Sequence, residues 1–149
     1  TSENHKNTAV AIQEQLKPLG VEVTMINTDT KTHYGYLEQK GDFDVARAGW
    51  IADYKDPETF LGISRRATSN NYSQYSSDEF EELMNQAAAA GGNPAERMNL
   101  LSKAESVLMR DHGQIPLLYY SYRNLVSPKI KGFEDNVMNV HPTRFMRKE

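Results

Sequence analysis

Residues 43–61, FDVARAGWIADYKDPETFL, constrain the fold more than any other stretch of the chain. Phe43 and Val45 are large and apolar with Asp44 between them, the period-two pattern of a strand. Ala46, Ala48 and Gly49 then narrow the chain before its single tryptophan, Trp50. Gly49 has no Cβ, so a second backbone fits close against it. Asp53, Tyr54, Asp56 and Glu58 follow, and Pro57 suits the first turn of a short helix through Phe60 and Leu61. A strand thus ends in a small-residue edge bearing an arginine, an aromatic ring and a carboxylate. Such an edge suits the grip of an extended, zwitterionic ligand.

The flanking sequence supplies an α/β frame. Ser2 or Asn4 caps a first helix running to about Leu16, with Ala9, Ile12 and Leu16 on one face, and Pro18 and Gly20 stop it. Val21, Val23 and Met25 alternate with polar residues and predict a strand. Residues 28–30 turn into a second helix over about 31–39, ended at Lys40 and Gly41. Helix, strand, helix, strand at this spacing predicts a parallel α/β layer. Residues 62–75 read as a polar loop. Ser76 with Glu79 then forms a capping box for a helix with Phe80, Leu83, Met84 and Ala87 on its apolar face, ended by Gly91 and Gly92. Asn93, Pro94 and Glu96 start another helix, which reaches about Arg110 and places Met98, Leu101, Glu105 and Leu108 at helical spacing. Residues 115–120 and 123–126 are expected to be extended, and residues 139–146 to add a last strand. No repeat or low-complexity tract interrupts the chain, and residues 1–149 are expected to form one α/β domain.

Composition removes several classes of function. The chain carries 17 basic and 20 acidic side chains, a net charge of −3, with no long basic run to meet nucleic acid or anionic lipid. It has no cysteine, so disulfides and thiolate metal sites are out. No apolar run approaches the roughly 20 residues that span a bilayer. The chain does not begin with methionine, and residues 1–4 read as the loop and cap of a helix with no strand before them. The expectation is a piece of a longer protein, beginning just after a strand.

Residues 47–54, RAGWIADY, followed by Asp56-Pro57 and Phe60-Leu61, resemble the signature of the extracytoplasmic oligopeptide-binding proteins of ABC importers, the family 5 solute-binding proteins of peptide and nickel type. Glycine, tryptophan, acid and proline fall in order at that family's spacing, and the rest of the chain fits its C-terminal lobe. The resemblance implies an α/β lobe of the type II periplasmic-binding-protein kind, a mixed β-sheet flanked by helices. It implies most of one lobe of a two-lobed protein whose lobes close over an extended peptide by a hinge. The implied partners are an oligopeptide and the membrane permease subunits of the importer. A monomer that binds no nucleic acid and needs no cofactor is expected. The implied location is the periplasm, or a lipoprotein anchored outside the cytoplasm in a Gram-positive cell.

Each candidate site residue has two readings. Asp53 is either a helix cap or turn former, or, as the resemblance implies, the carboxylate that accepts hydrogen bonds from the peptide's α-ammonium group. Arg47 forms either a structural ion pair or a fork for the peptide's C-terminal carboxylate. Trp50 is a core side chain or the wall of a side-chain pocket. The main chain of Ala48, Gly49, Trp50 and Ile51 is expected to take the ligand as an added strand, which grips backbone without regard to ligand sequence. His5 is either simply exposed or, by resemblance, a second group that meets a peptide carboxylate. Glu38 departs from the pattern, because some oligopeptide binders carry a basic residue there.

Rival readings differ in cargo or class. Within the family the cargo is alternatively a dipeptide, a murein peptide, nickel or haem. A peptide sensor or surface adhesin would keep the same fold without transport. An enzyme is not expected: Asp53, Asp56 and Glu58 lack the spacing and company of an acid–base pair. The histidines His5, His33, His112 and His141 show no metal-ligand spacing, and no nucleophile or phosphate-loop motif occurs. Tyr119, Tyr120 and Tyr122 read as a packed strand.

Overall fold

Helix α1 (Glu3–Leu16) opens the computed structural model, which describes residues 3–149. Asn4 lies within α1 rather than capping it, and its carbonyl accepts the Thr8 hydroxyl at 2.9 Å. The alternative cap, Ser2, lies outside the described residues. Ala9, Ile12 and Leu16 are half-buried on the expected face. A 3-10 turn (Lys17–Leu19) holds Pro18, and Gly20 ends it at φ 75° with its N–H on the Lys17 carbonyl. Helix α2 (Thr30–Glu38) starts at Asp29, whose side chain accepts from the Lys31 and Thr32 amides, and it buries Leu37.

Helix α3 (Glu58–Leu61) continues into a 3-10 turn (Gly62–Ser64). The polar loop beyond is pinned rather than free. Arg65 Nε reaches Glu81 at 3.0 Å, the Arg66 amide donates to the other oxygen of that carboxylate at 2.8 Å, and Arg66 Nε donates to Ser76 Oγ. Helix α4 (Asp78–Ala89) is capped by Ser77, whose hydroxyl accepts from the Phe80 amide. The cap is therefore Ser77 rather than the expected Ser76, whose hydroxyl accepts from Arg66. Helix α5 (Pro94–Arg110) begins as its sequence predicts, with Asn93 accepting from the Glu96 amide at 3.2 Å.

The core lies where α4 and α5 pack as a hairpin, closed by α3 and Tyr75. Leu61, Tyr75, Phe80, Met84, Ala87, Leu101, Ala104, Val107 and Leu108 form one buried cluster. Ala87 and Ala104 have almost no side chain, so their helices can approach closely. Met98, expected on the apolar face, is instead half exposed; Ala104 and Val107 are buried. Gly113 follows α5 where a Cβ would lie 2.7 Å from both Leu108 Cδ1 and the Tyr75 ring, so only glycine lets the chain turn so tightly over the core.

The expected strands are where structure and sequence part. Among the described residues the paired strands are β1 (Ile130–Lys131) and β2 (Arg147–Lys148), antiparallel, with Ile130 opposite Lys148 and Lys131 opposite Arg147. Residues 21–25, 43–45, 115–120 and 123–126 carry the strand pattern but no ladder, and 139–146 includes a 3-10 turn (Thr143–Phe145). Val45 remains 80% exposed and Tyr119 98%. A strand requires a second backbone to complete its hydrogen bonds, and side-chain alternation does not supply one. No helix among the described residues is long and apolar enough to cross a membrane.

Candidate functional site

The segment of residues 42–57 is held at both ends and open between. At its start, Arg47 is contacted from three distant parts of the chain. Its Nη2 lies 2.8 Å from His5 Nε2 on α1 and 2.6 Å from the Tyr120 hydroxyl. The guanidinium only donates, so His5 Nε2 and the tyrosine oxygen accept, and His5 is the neutral imidazole. Burial, and after it the adjacent Arg47 charge, lowers the His5 pKa below the usual histidine range. On α2, the ring of His33 is 2.8 Å from the Arg47 carbonyl, to which Nε2–H donates. Among the described residues no carboxylate pairs with Arg47, so the structural ion pair is not formed.

At the other end, Thr59 on α3 is the anchor. Its Oγ1 accepts from Trp50 Nε1 at 3.2 Å and from the Asp53 amide at 3.3 Å. Trp50 is half-buried and tethered, neither a fully buried core residue nor free. The helix-start role open to Asp53 belongs to Asp56 instead, whose Oδ1 accepts from the Glu58 amide at 2.9 Å. The Asp53 carboxylate is exposed and, among the described residues, makes no hydrogen bond or ion pair.

Asp56 also ties the segment to the core. Arg97 of α5 forks onto both its oxygens at 2.7 and 2.8 Å, and the two side chains are 29% and 24% exposed. This hydrogen-bonded fork lowers the Asp56 pKa and raises that of Arg97. The sign for stability follows: the contribution is full above the usual aspartate pKa and is lost as pH falls through the lowered folded value. Arg97→Ala is therefore expected to destabilise the chain by about 1–3 kcal/mol at neutral pH. The gap from the unsubstituted chain should close on acidification below the ordinary carboxylate range, as urea unfolding at stepped pH would read. A gap that stays constant across that range would deny the pair its role. Beside it, Tyr54 donates to Glu58, and that bond pushes its phenol pKa up to about 12.

Between these anchors, the main-chain N–H and C=O groups of residues 48–52 make no hydrogen bond among the described residues. Ala48, Gly49 and Ile51 are exposed. A Cβ on Gly49 would lie 3.7 Å from the Arg47 guanidinium and 4.0 Å from the Tyr120 ring, so this edge runs directly beside the cationic cluster. The structure thus joins His5 to Arg47 and joins Trp50 to Asp53 through one threonine; no contact links the Asp53 carboxylate to Arg47. Sequence reasoning missed Tyr120, His33, Thr59 and Arg97. Each acts across a long sequence separation or through a hydroxyl with no motif of its own. Among the described residues no group of three or more His, Cys, Asp or Glu is placed to hold a metal ion.

A profile of the bacterial extracellular solute-binding proteins, family 5 Middle, matches residues 1–72. The periplasmic oligopeptide-binding protein OppA of Salmonella typhimurium is 37% identical over 144 residues, 95% of this chain and 26% of that one. The chain belongs to family 5 of the solute-binding proteins. The periplasmic murein peptide-binding protein MppA of Escherichia coli is another relative, 33% identical over 139 residues, 91% of this chain and 25% of that one. The solved open, unliganded form of MppA, a murein tripeptide binder, superimposes with a TM-score of 0.80 at 33% identity, covering 99% of this chain and 29% of that structure. That likeness identifies the helix-rich arrangement with its small sheet as part of a type II periplasmic-binding-protein lobe. The chain spans about a quarter of the length of the family 5 relatives named here.

Proposed function

We propose that this chain is one lobe of the substrate-binding component of a peptide ABC importer. It forms most of the C-terminal lobe of a two-lobed protein and takes oligopeptides in extended form into the cleft between the lobes. The observation that carries this reading is the main chain of residues 48–52, an edge whose donors and acceptors are unused among the described residues. It lies beside an arginine with no carboxylate partner and ahead of an aspartate side chain with no partner among those same residues. A peptide has a matching outline, with a backbone to pair, a carboxylate and an ammonium group. In this reading Asp53 holds the ammonium group, and Ala48, Gly49, Trp50 and Ile51 hold the backbone. Arg47 and His5 receive the carboxylate of peptides long enough to reach them.

The function is binding and delivery rather than catalysis. Permease subunits are the membrane partner, and the place of work is outside the cytoplasm, a reading that the periplasmic relatives support. The binding protein acts as a monomer without a cofactor and does not engage nucleic acid. The MppA likeness favours a murein peptide as the second reading for the cargo.

Calorimetric titration of the whole two-lobed protein with trialanine, N-acetyl-trialanine and trialanine amide tests the proposal. Trialanine should bind, and acetylation should weaken it at least about tenfold by removing the charge that Asp53 meets. Should trialanine fail to bind while a murein tripeptide binds, the second reading takes its place. Equal affinity for the free and acetylated peptides would remove Asp53 from the ammonium site.

A further inference from the structure

Thr59 is buried, 4% exposed, on the first turn of the four-residue helix α3. Its hydroxyl oxygen collects two donors that both come from the ligand edge: the Trp50 indole N–H at 3.2 Å and the Asp53 main-chain N–H at 3.3 Å. A hydroxyl oxygen has two lone pairs, and both are taken here. No other described side chain bonds to more than one member of the predicted ligand-contact set between Trp50 and Asp53. The atom therefore ties the Trp50 ring to the main chain of Asp53, three residues further on.

We propose that Thr59 is the positioning residue of this site. It touches no ligand, yet it fixes the main chain from which the Asp53 carboxylate projects, relative to the Trp50 wall and the open backbone between them. The inference rests on the peptide reading given above. The chemistry is one of preorganisation. An exposed aspartate in an irregular segment samples many orientations, and its attraction for an ammonium group is diluted by the ones that point elsewhere. Tying its own amide to a buried oxygen removes much of that freedom before the ligand arrives. The anchor is itself rigid: Asp56 bonds the α3 amide of Glu58 and is forked by Arg97 of α5, so Thr59 sits on an element joined to the core. Valine at this position keeps the shape but removes the acceptor, and leaves two donors without their partner. Serine keeps the acceptor and loses only a methyl group.

The test uses the whole two-lobed protein with Thr59→Val, Thr59→Ser and Asp53→Ala, each titrated with trialanine and with N-acetyl-trialanine. The expected result is that Thr59→Val weakens trialanine by at least about tenfold, the equivalent of one hydrogen bond. It should leave the weaker acetylated peptide within about twofold of its original affinity, and Thr59→Ser should bind both as the unsubstituted protein does. A merely structural role would move both peptides together, or would move melting temperature and affinity in parallel for serine and valine alike; either result overturns the proposal. So does unchanged trialanine affinity in Thr59→Val. If Thr59→Val does not fold, Thr59→Ala, which also lacks the hydroxyl, carries the same comparison against Thr59→Ser. Failure of the underlying peptide reading has its own signature: the unsubstituted protein does not bind trialanine, or Asp53→Ala leaves its affinity unchanged.

Discussion

Phe80→Ala is expected to lower the stability of this chain by about 3–5 kcal/mol, the range for truncating a fully buried aromatic side chain. Phe80 is wholly inaccessible and sits at the start of α4, edge-on to Tyr75 with ring centroids 5.4 Å apart. Tyr75 in turn donates to Asp111 at 2.8 Å, just past the end of α5. Removing the ring would open a cavity where both helices and the loop before α4 meet. A domain of this size has only about 5–15 kcal/mol in total, so the loss would take most of the margin. Urea unfolding followed by far-ultraviolet circular dichroism reads it as a fall in midpoint. A change below about 1 kcal/mol would mean that the α4–α5 hairpin is not the folding core. The edge of residues 48–52 is expected to suffer with it, because Arg97 and Thr59 hold its flank from this side of the molecule.

Asp53→Ala in the whole two-lobed protein is expected to weaken a free-ended peptide by about 2 kcal/mol or more, roughly thirtyfold in Kd. Truncating one partner of a hydrogen-bonded charge pair leaves the other without its counter-charge, and the loss exceeds that of a neutral hydrogen bond. Asp53→Asn keeps an acceptor oxygen without the charge and should fall between alanine and the unsubstituted protein. Folding should hardly change, since the carboxylate is exposed and, among the described residues, makes no hydrogen bond or ion pair. That separation makes the experiment decisive: an affinity loss without a stability loss assigns Asp53 to the ligand. Unchanged calorimetric affinity would reduce it to an exposed turn residue.

How far the sequence can be read depends on the range of the forces involved. All the longer helices were legible, with boundaries correct to a residue or two, because caps and apolar periodicity act within a few residues. Asn93, Pro94 and Glu96 announced α5, and Leu101 and Leu108 announced its buried face. Ser77 rather than Ser76 caps α4, and the Ser76 hydroxyl instead accepts from Arg66, ten residues away. The strands fared differently. Val21, Phe43 and Leu117 mark chain suited to extension, but pairing is a property of two segments, and none of these has a partner backbone among the described residues.

The candidate site divides along the same line. The sequence by itself determined its chemical inventory: an arginine, a tryptophan and an aspartate spaced along a small-residue edge, in the order that marks family 5. It also determined the helical hairpin that carries the core, since both depend on neighbours a few residues apart. Only the tertiary structure decided what each group is free to do. It brought His5 and Tyr120, 42 and 73 residues from Arg47, onto one guanidinium without supplying a carboxylate from among the described residues. It gave the helix-start role to Asp56 and left the Asp53 side chain unengaged among the described residues. It put a threonine with no motif of its own beneath both Trp50 and Asp53. Such facts are absent from the linear pattern because a hydroxyl or an imidazole has no directional meaning until folding fixes what stands within 3 Å of it.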